Sequence, residues 1–164
     1  MATVNKEILQ HLDFNDRLLS IARSQVGNQE IPKGSNWGKH VQKYLASVGI
    51  TFPTSWCMAY VYWCVTEACK ELRMVNPMIK TGGVLRQWNE IDKAYKSDKP
   101  KRGSIFIMDY GKGLGHTGIV ENVNADGTIS TIEGNTNDEG SRDGYEVCRR
   151  TRQISKCKGF INIA

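Results

Sequence analysis

Apolar residues follow two different periods along the chain, and the change comes after residue 91. Before it, apolar positions recur every three or four residues, which is typical of helices with one buried face. They predict one broken helix or two over residues 6–26, interrupted near 13–16, and further helices over 37–48, 56–73 and 84–91. After it, short runs rich in β-branched residues alternate with Gly, Asn and Asp. They predict strands over residues 104–109, 117–123, 128–133, 145–154 and 159–163.

Helices followed by strands predict an α+β fold, with N-terminal helices packed on a C-terminal antiparallel sheet of about five strands. The 164 residues are enough to bury one core without disulfides. A hydrophobic content of 40% argues against disorder. The chain contains no repeat or low-complexity tract, so we expect a single domain over residues 1–164 and a monomer.

Cys57 is the candidate nucleophile. It follows the turn-like segment 52–55 and begins the apolar run 56–65. A thiol is mostly protonated near neutral pH, and a helix N-terminus favours the thiolate. We expect Ser55 or Thr54 to cap this helix.

The other cysteines lack such a position. A cysteine in an apolar run is usually a small buried hydrophobic residue. Cys64 and Cys69 come later in the predicted helix 56–73, and we expect both to be core or surface thiols rather than nucleophiles. Cys148 and Cys157 lie in strand-like segments and are also predicted to be structural. An odd number of cysteines, five, indicates free thiols rather than a disulfide framework.

His116 is the candidate base. It lies in the glycine-rich segment 111–118, where the absence of side chains allows sharp turns and close approach. His11 and His40 lie in polar helical surroundings, and we expect both to be solvated. A histidine at a strand start is more often structural than catalytic, so the pairing with Cys57 carries this assignment.

Glu133 and Asn135 are candidates to orient His116. They end the β-branched run 128–133, which begins after the turn signal Asp126-Gly127. This run and the strand that begins near His116 should form a hairpin. Residues two apart project from the same face of a strand, so either side chain can reach the imidazole.

In this order, the residues resemble the CHAP domain (cysteine, histidine-dependent amidohydrolase/peptidase), a relative of the NlpC/P60 and papain-like hydrolases. The resemblance extends from about residue 21 to 163 and rests on the segments 24–27, 34–38, 56–57, 100–104, 115–120 and 132–135. It implies a papain-like fold and hydrolysis of an amide bond in bacterial peptidoglycan by an amidase or endopeptidase. It also implies Cys57 as nucleophile, His116 as base, and Glu133 or Asn135 as the orienting residue.

Two positions depart from the family pattern. Related sequences commonly have Pro before the Trp-Cys pair and Asp after the glycine that opens the first strand, where this chain has Ser55 and Ser104. Some relatives bind calcium upstream of the nucleophile, but Glu30 is the only acidic residue between 29 and 56. Calcium needs about six to eight oxygen ligands, and zinc needs paired Cys or His residues. We therefore expect no metal and no cofactor.

The net charge is +5, with basic residues concentrated in 93–102 and 149–152. No nucleic-acid-binding signature accompanies these runs, so we expect no nucleic-acid partner and a general attraction to anionic wall polymers instead. No apolar stretch approaches the roughly 20 residues of a membrane span, and the first residues lack a signal-peptide core. We expect synthesis in the cytoplasm and action on the cell wall after export or release.

Three aromatic residues are candidates to line a substrate groove: Trp37, Trp56 and Tyr60. Aromatic residues at helical spacing more often belong to the core. Two other functions also stay open. One is a wall-binding module that has lost turnover, and the other is a cysteine amidase that acts on a peptide conjugate outside the wall. An intact Cys57, His116 and Glu133 set argues against the binding module, since binding needs no nucleophile.

Overall fold

The computed structural model describes residues 14–134 and 144–164, in which the helices precede the sheet. The helices are α1 (14–24), α2 (Lys39–Ser47), α3 (Cys57–Leu72) and α4 (Val84–Glu90). The strands are β1 (Lys96–Ser97), β2 (Ile105–Gly111), β3 (Leu114–Val123), β4 (Thr128–Gly134), β5 (Val147–Gln153) and β6 (Gly159–Ile161). The α+β order predicted from the sequence is confirmed. The first part of the predicted helix 6–26 lies outside the described residues.

The strand predictions differ from the structure mainly at β1. This strand has only two residues, Lys96 and Ser97, and two residues are too few to show an alternating pattern. It is recognisable only because it pairs with β6. Strand β3 begins at Leu114, earlier than predicted, because β2 and β3 form a tight hairpin in which Gly111 pairs with Leu114.

All strand pairs are antiparallel, and the order across the sheet is β1-β6-β2-β3-β4-β5. Strand β5 is an edge strand, and β2, β3 and β4 lie between it and β6 in the sheet. Only residues 154–158 connect β5 to β6 along the chain. A 3-10 turn over Ile154–Lys156 shortens that connection further. The sheet therefore curls so that its two sides approach each other.

The curl divides the apolar interior into two cores. The larger core lies between the helices and one face of the sheet, where α3 packs on β3 and β4. The smaller core lies on the other face and contains Phe106, Met108, Val120, Ile129 and Phe160. Met108 lies directly opposite His116 in the β2–β3 ladder, so the two side chains share this inner face.

Helix α3 is buried around most of its circumference. Its buried residues include Met58, Val61, Val65 and Ala68. This helix contacts α2 on one side and the sheet on the other, so neither side can be polar. The helix ends where Arg73 takes up a left-handed conformation, with φ of 55°. The position of α3 between two layers sets the place of its first residue, Cys57.

We expect Gly134→Ala to lower the free energy of unfolding by about 1–3 kcal/mol, the usual range for overpacking. A Cβ at Gly134 would lie 2.7 Å from Tyr60 Cβ and 2.8 Å from Trp56 Cζ3, so β4 or α3 would have to shift. Gly83→Ala is the matched control, because its Cβ would meet its nearest neighbour at 3.4 Å. Urea denaturation measures both changes, and equal losses would contradict the steric explanation.

Candidate active site

Cys57 is the first residue of α3 and is only 4% exposed. The expected cap from Ser55 or Thr54 was wrong: the N-cap residue is Trp56, whose side chain makes no capping hydrogen bond. The first intrahelical bond runs from the Tyr60 N–H to the Trp56 carbonyl, at 2.9 Å. The thiol therefore lies in the first turn, where the partial positive charge of the helix favours an anion.

Trp56 holds the start of α3 in place. Its side chain is fully buried, and its Nε1 donates to Glu30 Oε1 at 3.2 Å. Glu30 is itself 3% exposed and accepts a second bond from the Asn36 backbone N–H at 3.0 Å. Burial of the indole explains why Trp56, and not a small polar residue, occupies the capping position. The sequence offered no signal for this role of Glu30 beyond its isolation among neutral neighbours.

The aromatic residues proposed for a groove lie at different depths. Trp56 and Tyr60 are both fully buried, and the Tyr60 hydroxyl donates to the Ala22 carbonyl at 3.0 Å. In this position they support the helix and are not exposed to a surface groove. Trp37 is half-buried against the larger core. Trp37 is thus the member of the three with surface open to a ligand, and the groove assignment itself stays a prediction.

His116 lies on β3 beside Glu133 of β4. Its Nε2 is 2.7 Å from Glu133 Oε1, and the two side chains are 1% and 0% exposed. Gly118 makes this contact possible, because a Cβ there would lie 2.6 Å from Glu133 Cγ and 2.7 Å from a Phe106 ring carbon. The predicted β3–β4 hairpin is confirmed. Glu133 contacts the imidazole from the neighbouring strand, as expected from the sequence.

The second ring nitrogen of His116, Nδ1, is not bonded to Glu133. Nδ1 is buried and, among the residues that the structure describes, has no partner within ordinary hydrogen-bond limits. Burial alone would lower the pKa of His116, but interactions with Cys57 and then Glu133 outweigh it and raise that pKa to about 9. Cys57 therefore lies close enough to influence the ring. Because Nε2 is occupied by Glu133, Nδ1 is the nitrogen left for the thiol.

The raised pKa of His116 makes the stability of the protein depend on pH. The folded value of about 9 lies above the ordinary 6.5, so folding favours the protonated ring. The contribution of His116 to stability is full below the unfolded pKa and is lost as the pH rises through the folded pKa.

Catalytic contacts are often long in unliganded proteins and shorten when substrate binds. The lack of a hydrogen-bond partner for His116 Nδ1 among the described residues is therefore compatible with a thiol–imidazole pair.

Arg152 is the residue that sequence reasoning missed. Its Nε donates to Glu133 Oε2 at 2.8 Å and its Nη2 to Glu133 Oε1 at 2.6 Å. The Thr131 hydroxyl donates to Oε2 at 2.6 Å. Burial opposes ionisation, but Arg152 and then His116 outweigh it and lower the pKa of Glu133 to about 2. The sequence showed only a basic run at 149–152, with nothing to separate Arg152 from its neighbours.

The remaining candidates divide clearly. Asn135 and His11 lie outside the described residues. Cys64 and Cys69 are 0% and 2% exposed within α3, so of the two expected positions, core and surface, the structure shows the core. Cys148 and Cys157 are half-buried free thiols on the sheet side.

Two findings concern the metal and membrane predictions. Within residues 14–134 and 144–164, no three His, Cys, Asp or Glu side chains cluster in a way that would hold a metal ion. In the same part of the chain, no helix has the length and apolar character needed to cross a membrane.

Comparison with known proteins identifies one family. The family model of the CHAP domain matches residues 48–135, which is more than half of the chain. The matched range includes Cys57, His116, Glu133 and Asn135. The resemblance inferred from the sequence is thereby confirmed. No curated protein and no solved structure matches the chain.

We expect Glu133→Gln to lower the pKa of His116, because the variant removes the negative charge that stabilises the imidazolium. Asn135→Ala should change this pKa less, since an amide carries no charge. NMR titration of the His116 ring in both variants measures the effect. A larger fall in the Asn135 variant would reverse the assignment of the orienting residue.

Proposed function

Because the chain belongs to the CHAP domain family, we propose that it hydrolyses an amide bond of bacterial peptidoglycan with Cys57 as nucleophile. Domains of this family are typically amidases or peptidases. One observation supports the cysteine mechanism above the others. His116 interacts with the thiol at the start of α3, while its Nε2 is held by a buried carboxylate. A binding module has no need of that arrangement.

In the first half of the proposed reaction, Cys57 Sγ attacks the amide carbonyl carbon and a tetrahedral intermediate forms. The backbone N–H of Cys57, in the first turn of α3, is suited to donate to the developing oxyanion. The imidazolium of His116 then gives a proton to the leaving amine as the C–N bond breaks. A thioester remains on Cys57.

In the second half, neutral His116 removes a proton from water, and the resulting hydroxide attacks the thioester. The C–S bond breaks, the carboxylic acid leaves, and the thiolate–imidazolium pair returns. Glu133 holds the ring through Nε2 in both halves, so Nδ1 points at the reacting atoms each time. The pKa of His116, about 9, keeps the ring protonated at neutral pH for the first proton transfer.

The proposed substrate also suits the charge of the protein. The net charge is +5 and bacterial wall polymers are anionic, so long-range attraction would raise the local concentration of enzyme at the wall. The proposed place of action is the cell wall, after export or release. Trp37, half-buried near the start of α2, is the aromatic residue that we propose for substrate contact.

Mass spectrometry of muropeptides after incubation with the protein identifies the bond that is cut. New N-terminal alanine with free glycan indicates amidase action, whereas shortened stem peptides indicate endopeptidase action. Intact muropeptides with protein retained on the wall would favour the binding module. Intact muropeptides without retention would favour an amide outside the wall.

We expect Cys57→Ala to abolish clearing of purified peptidoglycan without unfolding the protein. The variant removes the nucleophile and little volume. Cys64→Ala is the matched control, because it makes the same change two turns later in α3, at a thiol that is 0% exposed. It should retain activity and lose about 1 kcal/mol of stability to the cavity. Turbidity and circular dichroism measure the two effects, and equal inactivity of both variants would mean that the wrong thiol was chosen.

We expect hydrolysis to survive EDTA. The proposed reaction uses a thiolate and an imidazole, and residues 29–56 contain one acidic residue, Glu30, where a hard cation needs several carboxylates. Turbidity assays with and without chelator measure this. Activity that is lost with EDTA and returns with calcium or zinc would contradict the metal-free mechanism.

A further inference from the structure

Arg152 and Glu133 form a forked ion pair beneath the surface. Two nitrogens of Arg152 bond both oxygens of Glu133, at 2.8 and 2.6 Å. The carboxylate is 0% exposed, and the Arg152 side chain is 22% exposed. A bidentate guanidinium contact is both strong and directional. The pair joins β5 to β4, directly behind the contact between Glu133 and His116.

We propose that Arg152 is a positioning residue that sets how many protons the Cys57–His116 pair holds at neutral pH. The inference rests on the proposed function, in that it takes Cys57 as nucleophile and His116 as its partner. The side-chain hydrogen bonds of Arg152 go to the Glu133 carboxylate. Arg152 therefore acts through this carboxylate, which it shares with the His116 ring.

The net charge of the four groups at the site decides where protons bind. In the reactive state, the thiolate of Cys57 and the imidazolium of His116 cancel, and Glu133 and Arg152 cancel. Without Arg152, the same state carries one net negative charge in a buried site, which is costly. The site then recovers neutrality by taking up one proton. His116 is already protonated, so the proton goes to Glu133 or to the thiolate. Glu133 keeps its bonds to His116 and Thr131, so the thiolate is the anion that takes up the proton, and the nucleophile is lost.

Other groups that face Arg152 and Glu133 do not supply a substitute charge. Cys148 on β5 and Cys157 before β6 adjoin the pair, and burial raises the pKa of both thiols, that of Cys157 to about 11. Both are therefore neutral near pH 7. Tyr110 on β2 also adjoins the guanidinium, but a phenol carries no positive charge.

Groups on the remaining neighbouring elements complete this account. The Thr131 hydroxyl donates to Glu133 without charge. Arg150 and Glu146 face Cys148. Among the described residues, the cations that bond Glu133 are Arg152 and the protonated ring of His116. The balance therefore depends on Arg152.

The test is the rate at which iodoacetamide alkylates Cys57, measured against pH by mass spectrometry of its peptide. Arg152→Gln should move the midpoint of this profile up by about one pH unit, the effect of a unit charge roughly 10 Å away at an effective dielectric constant of about 20. Alkylation below the midpoint should then be about tenfold slower. Arg152→Lys should move the midpoint less, because it retains the charge and loses only the fork.

Arg149→Gln is the matched control. It removes the same charge from the same strand, but Arg149 pairs with Glu121, at 2.9 Å, and not with Glu133. Its alkylation profile should coincide with that of the parent protein. A profile of Arg152→Gln that coincides with the parent, or an equal shift in Arg149→Gln, would overturn the proposal. A purely structural role for Arg152 would lower the melting temperature without moving the midpoint.

A measurement on the parent protein covers the case in which Arg152→Gln does not fold. The side-chain Nε–H resonance of Arg152 should move with the same midpoint as the His116 ring, because both groups bond the same carboxylate. Independent titration would overturn the proposal. Alkylation does not depend on which amide is cleaved. A parent protein that leaves peptidoglycan intact while the variants show the shift would reject the proposed substrate and support the role of Arg152.

Discussion

Burial of the Glu133 carboxylate is the constraint on which the candidate site depends. An ionised carboxylate at 0% exposure is stable only when its oxygens are fully bonded. Here His116, Thr131 and Arg152 supply the donors, from β3, β4 and β5. The three strands must therefore pair in one register, because a slip of a single residue would turn these side chains to the opposite face. Gly118 provides the space in which the carboxylate lies.

The nucleophile side of the site has a different support. The ring of Trp56 stacks on Tyr44 of α2, with centroids 5.7 Å apart, and its indole nitrogen bonds the buried Glu30. These contacts place the first turn of α3 against β3 and β4. The Trp56 side chain itself makes no capping bond to the first N–H groups of the helix.

The two supports meet at the proposed pair of Cys57 and His116. Helix α3 holds the thiol, and Glu133, itself bonded to Arg152, holds the ring through Nε2. Neither half contains a mobile surface side chain at its centre, since Cys57, His116 and Glu133 are 4%, 1% and 0% exposed. Preorganisation of this kind lowers the cost of bringing the reacting groups together. The same burial makes the site sensitive to any unbalanced charge.

Local pattern by itself determined the helix-to-strand order, the start of α3 near Cys57 and the hairpin that brings Glu133 toward His116. Each depends on neighbours in sequence: apolar period, β-branched runs and the turn at Asp126-Gly127. The family could likewise be inferred from ordered motifs. The burial of Trp56 and Tyr60, the place of Trp56 at the N-cap and the partnership of Glu133 with Arg152 were decided only by the tertiary structure. These features depend on contacts between residues far apart in the chain, and the residue types involved look the same in sequence whether or not such contacts form.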